Sequence, residues 1–109
     1  MMHWAVLILA GLIEIVFAVS LSRSDGFTQP IWVAALLIAG ATSLALLQYA
    51  MRAIPLGTAY AVWTGVGAAG TAIFGMAVLG ESSATARVLC IALIVVAVIG
   101  LQLTGPGRA

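Results

Sequence analysis

The chain has 109 residues, of which 64% are hydrophobic and only 6% charged. A soluble domain carries about 25% charged residues, so the composition excludes a cytosolic enzyme, a nucleic-acid binder and a disordered tail. The net charge of +1 gives no basic field for phosphates. Cys90 stands alone, with no partner for an internal disulfide and no metal-ligating neighbours, and no metal or cofactor is expected.

Taken in chain order, the charges delimit four apolar segments. The first, 4–21, is interrupted only by Glu14, and charge is absent from 26–51, 53–80 and 88–107. A helix needs about 20 apolar residues to cross a ~30 Å hydrocarbon core. The pattern predicts membrane-spanning helices near Trp4–Leu21, Ile31–Ala50, Thr58–Leu79 and Val88–Thr104, with all other charges outside them. Strands are disfavoured because the apolar residues run continuously instead of alternating. A mid-segment carboxylate and the lack of a basic leader argue that the first segment is a retained helix and not a cleaved signal.

The connections are short. Ser22–Pro30 holds a turn signal, with Pro30 opening the second helix. Arg52–Gly57 contains Pro55, and Gly80–Ala86 offers Ser83 or Thr85 as a helix cap. Short links make neighbouring helices antiparallel, which predicts an all-α, up-down-up-down bundle forming one domain over 1–109. Arg23 and Arg87 then lie on one side, Arg52 and Arg108 on the other. Orientation follows the arginine and lysine excess. A tie leaves two readings open: insertion in both directions, or a choice made by the N-terminus, His3 or a partner.

Glu14 is the residue with the most chemistry. An ionisable group inside the bilayer costs at least ~2.5–3.5 kcal/mol and is normally functional. No Lys, Arg or His stands at its depth in the other spans. The carboxyl must therefore be protonated or paired with something that comes and goes. A proton and a cation competing for one site is the chemistry of a proton-coupled cation carrier. The alternative is a permanently protonated Glu14 that bonds a neighbouring helix. Gly11 and Phe17 share its face by helical spacing, leaving room for close helix approach or for a ligand.

Tyr60 and Trp63, one turn apart on the third segment, offer aromatic faces to a cation. Gly65 and Gly67 permit tight packing or a hinge. Ser43 on the second segment can orient Glu14 only if the two helices face each other. Trp4 and Trp32 read as interface anchors. The fourth helix has no titratable group besides the Cys90 thiol and reads as a lipid or partner contact.

Four short spans with Ala10-Gly11-Leu12-Ile13-Glu14-Ile15-Val16-Phe17-Ala18 in the first, Asp25-Gly26-Phe27-Thr28 in the first loop and Pro55-Leu56-Gly57-Thr58-Ala59-Tyr60-Ala61-Val62-Trp63-Thr64-Gly65-Val66-Gly67 in the third resemble the small multidrug resistance family. The likeness covers essentially the whole chain and is strongest to the family's guanidinium-exporter branch. It implies an antiparallel, dual-topology dimer in the inner (plasma) membrane that exchanges a small organic cation for protons. It further implies that Glu14 binds proton and substrate in turn, that Ser43 and Trp63 orient it, and that Tyr60 gates or hydrogen-bonds. Where that branch usually carries Trp, Lys and Lys, this chain has Phe17, Ser22 and Gln102.

Guanidinium or a substituted guanidinium is the first expected substrate. Two alternatives stand beside it: a quaternary-ammonium exporter, as a homodimer or half of a heterodimeric pair, and a non-transporting, proton-carrying membrane subunit. Enzymatic chemistry is not expected, since no His/Cys/acid cluster or Ser-His pair is present at one depth.

Overall fold

The structure is a computed structural model that describes residues 2–104. It consists of four helices: α1 Met2–Arg23, α2 Pro30–Ala50, α3 Leu56–Val78 and α4 Thr85–Thr104. Among the described residues there is no strand. With 20 to 23 residues each, the helices run about 30–35 Å, the thickness of a bilayer core. All four are long and apolar enough to cross a membrane, which makes the chain a multi-pass membrane protein.

The helix ends follow local chemistry. After α1, Ser24 Oγ donates to Leu21 O at 2.8 Å and accepts from Phe27 N–H at 3.3 Å. Asp25, Gly26 and Phe27 all adopt left-handed backbone there, and Pro30 then starts α2 at a position where its missing N–H costs nothing. Pro55 serves as the N-cap residue of α3. At the end of α3, Gly80 turns left-handed and Glu81 N–H closes back to Gly75 O at 3.0 Å, the carbonyl that also accepts from Leu79 N–H at 3.1 Å. Ahead of α4, Ser82 Oγ accepts from Ala84 N–H at 3.2 Å, while Thr85 is the first helical residue.

Sequential helices run antiparallel. α1 packs along both α2 and α3, and α4 packs chiefly on α3. Small residues set these approaches: a Cβ on Gly11 would lie 2.7 Å from Val66 of α3, and one on Gly65 2.7 Å from Val98 of α4. The core gathers Trp4, Leu7, Leu47, Ala50, Ile54, Ala59 and Val62. Trp4 therefore corrects the sequence reading: at 7% exposure it is a core residue and not an interface anchor. It shares one buried cluster with Leu47 and Ile54, and that burial outweighs the preference of indole for the headgroup region. Arg23 and Arg87 also fall within the helices, in the last turn of α1 and the first of α4.

The Cα envelope is only 17 Å through its thinnest direction. Such a slab leaves broad apolar faces open, most of all on α4, where Leu89, Leu93, Val96 and Ile99 are exposed and Ile91 alone among its described residues is buried. Trp32 sits under the Arg23 guanidinium at 5.6 Å, the snorkelling arrangement expected at a membrane boundary.

Candidate functional site

Midway along α1, Glu14 projects toward α3. Its carboxylate lies where a side chain at position 67 would be: a Cβ on Gly67 would come within 2.7 Å of Oε1 and 2.8 Å of the carboxyl carbon. Oε2 is buried and has no hydrogen-bond partner among the described residues. The one ion pair among the described residues joins Glu81 of the α3–α4 connection to Arg87 in the first turn of α4. Glu14 thus has no counter-ion among the described residues.

Two cavities meet at Glu14. The smaller, about 150 Å³, lies between α1, α2 and α3 and is lined by Glu14, Phe17, Gly40, Ser43, Leu44 and Trp63. The larger, about 440 Å³, runs along α1 and α3 past Ser22, Gly67 and Thr71 to the Glu81–Arg87 pair. Sites for drug-sized ligands usually occupy ~300–1,000 Å³. The smaller cavity falls below that range and suits a small planar cation better than a bulky one.

Ser43, 1% exposed, organises the α1–α2–α3 junction. Its hydroxyl donates to Ala10 O at 2.6 Å and accepts from Trp63 Nε1 at 2.9 Å. Ala10 O is one helical turn before Glu14, so the Ser43 hydroxyl is spent on backbone and indole and makes no bond to the carboxylate itself. α1 and α2 do face each other here, the condition that the sequence left open. The hydrogen-bonded chain Trp63–Ser43–Ala10 fixes the indole edge beside the acid and gives the cavity an ordered polar wall.

The structure brings Glu14, Phe17, Ser43 and Trp63 around one cavity and leaves other candidates outside it. Gly11 is a packing residue against Val66. Tyr60 is 53% exposed and lines neither cavity at Glu14. It touches the site through Trp63, with ring centroids 5.4 Å apart at 52°. Gly67 belongs to the larger cavity and Gly65 to the contact with α4.

Several lining residues were not among the candidates. Gly40 seats the Phe17 ring, since a Cβ there would be 3.0 Å from Phe17 Cδ1. Its position three residues before Ser43, on the same face, was the available signal. Glu81 and Arg87 read as loop charges in the sequence, and only the folding of α3 onto α1 brings them to the cavity that Glu14 lines. No group of three or more metal-ligating side chains occurs among the described residues.

A sequence model of the Small Multidrug Resistance protein family matches residues 2–94. Proteins named guanidinium exporter from Yersinia pestis and Citrobacter freundii are each 50% identical to the chain, over 102 and 107 residues. Each alignment covers 94% of this chain and 98% of the relative. A guanidinium exporter from Proteus vulgaris is likewise 50% identical with the same coverage.

Proposed function

The chain belongs to the small multidrug resistance family, and from that premise we propose that it is a proton-coupled antiporter exporting guanidinium and substituted guanidinium cations across the inner membrane. The observation that carries this reading is Glu14: a carboxylate inside the bundle, one oxygen buried without a partner, at the meeting point of two cavities. Relatives named guanidinium exporter at 50% identity over nearly the full chain support the choice of cation.

The chemistry follows from the charge balance. A carboxylate offers two in-plane acceptors that a planar guanidinium meets with parallel N–H bonds. A protonated Glu14 offers neither the charge nor that geometry. Proton and cation therefore exclude one another, and release of one is the condition for binding the other. Phe17 and Trp63 supply aromatic walls that attract a cation once water is excluded. Ser43 holds the Trp63 indole, and Tyr60 acts through Trp63. Gly67 keeps space for the carboxylate, and Gly65 sets the α3–α4 approach.

The working unit is an antiparallel dimer of two such four-helix domains. Balanced arginines support insertion in both orientations, and inversion supplies the symmetry that alternating access requires. Two Glu14 carboxyls sharing one chamber titrate as a coupled pair.

The test is transport in proteoliposomes under an imposed pH gradient, comparing guanidinium with a tetraalkylammonium for the wild type and Glu14→Gln. Guanidinium uptake driven by protons and lost in Glu14→Gln is expected. Uptake that survives the substitution refutes the mechanism, and preference for the tetraalkylammonium refutes the substrate.

A further inference from the structure

A second carboxylate stands at the far end of the larger cavity. Glu14 and Gly67 line that cavity deep in the bundle, and Glu81 and Arg87 line it where α3 gives way to α4. The rise from Gly67 to Gly75 along α3 is about 12 Å, so the two acids sit at different depths along one route. Glu81 is anchored at its end of the route: its N–H donates to Gly75 O at 3.0 Å, and its carboxylate packs on Gly75 where a Cβ would collide.

What occupies Glu81 is itself informative. Arg87 Nη2 donates to Glu81 Oε1 at 2.7 Å, so the carboxylate is already holding a guanidinium, the chain's own. The pair is partly exposed, with 36% and 47% of the two side chains accessible, and exposed ion pairs are weakly held. Arg87 contributes one hydrogen bond, whereas a dissolved guanidinium can offer a carboxylate two in parallel.

We propose that Glu81 is a second guanidinium-binding site at the mouth of the route to Glu14, with Arg87 as the resident counter-ion that an arriving guanidinium displaces. The proposal deepens the reading of the chain as a guanidinium carrier and rests on it. Arg87 keeps the mouth neutral between transport events and competes the cation off again. A quaternary ammonium has no N–H to replace the bond that Arg87 gives up. The mouth therefore selects cations that carry donors, before they reach Glu14.

The site is read directly in the full-length Glu14→Gln protein in bicelles, where the deep site is absent. Guanidinium chloride, and tetramethylammonium chloride at equal ionic strength, are titrated while the amide resonances of Gly75 and Glu81 are followed. Guanidinium should give a saturable shift that tetramethylammonium does not. Adding Glu81→Gln should abolish the shift, and adding Arg87→Gln should lower its midpoint severalfold by removing the competitor. Equal shifts with both salts, a shift that persists without Glu81, or a midpoint indifferent to Arg87 would overturn the proposal. Failure of wild-type proteoliposomes to carry guanidinium is a separate result, which sinks the transport reading and not the chemistry at Glu81.

Discussion

Gly67 leaves vacant the space that the Glu14 carboxylate fills: a Cβ at position 67 would stand 2.7 Å from Oε1. At this point α1 and α3 meet as side chain against backbone, and the rotamer of the acid is decided by a missing methyl group. Gly11, one turn earlier on α1, lets the two helices close by the same device against Val66.

Gly67→Ala should therefore move the acid while keeping the fold. A side chain forced ~30° off its rotamer costs about 0.5–1.5 kcal/mol, so guanidinium affinity should fall by roughly two- to tenfold. Calorimetric titration in detergent at a single alkaline pH measures it. An unchanged affinity would mean that the carboxylate has equivalent room elsewhere.

If proton and cation compete at Glu14, as proposed, the sign of the pH dependence is fixed. Where the carboxyl is mostly protonated, each unit of rising pH should lower the apparent Kd about tenfold per proton displaced, because more of the protein carries the anion that the cation needs. Once the group is ionised the curve should flatten. Glu14→Gln should bind weakly with no pH dependence. A wild-type profile as flat as that of the variant would remove proton competition from the mechanism.

The Trp63–Ser43–Ala10 chain predicts coupling between two helices. Ser43→Ala leaves the Trp63 N–H without its acceptor in a partly buried place, a loss of about 1–3 kcal/mol. Trp63→Phe removes the same donor, so in the Ser43→Ala background it should cost less than in the wild type. Interaction energies for residues in one network run about 0.5–3 kcal/mol. A double-mutant cycle in detergent unfolding reads the difference, and strict additivity would deny the bond any role in stability.

Much of this was legible in the sequence because a bilayer imposes length. The uncharged runs place all four helices, with α1 beginning at Met2 and α4 at Thr85, a few residues before the expected starts. What hydropathy cannot give is rotation. A helix that is apolar all round has no marked face, so nothing in the sequence told Trp4 in the core from Trp32 at the boundary, or showed that Ser43 would meet Ala10. Glu14 stood out as a candidate because its type is costly at that depth, whereas the link from Glu81 to the same cavity depends on how α3 lies against α1. Tyr60 shows the reverse: its spacing from Trp63 was read correctly, yet the pair's shared face turns Trp63 to the cavity and leaves Tyr60 exposed.

Arginine placement predicts how the chain inserts. Arg23 and Arg87 lie at the end of the bundle that carries the α1–α2 and α3–α4 connections, and Arg52 lies in the α2–α3 connection. Arg108, outside the described residues, brings the sequence to a tie. A cysteine at Thr28 in a Cys90→Ala background should accordingly be labelled from both sides of the membrane, roughly half from each. Adding lysines at Ala53 and Gly57, both exposed, should draw that end to the cytoplasm and confine labelling of Thr28→Cys to the outside. If the working unit is an antiparallel pair, the biased chain alone should lose transport. Co-expression with a chain biased the other way, by lysines at Phe27 and Gln29, should restore it. Full transport by a chain held in one orientation would show that inversion between protomers is not needed.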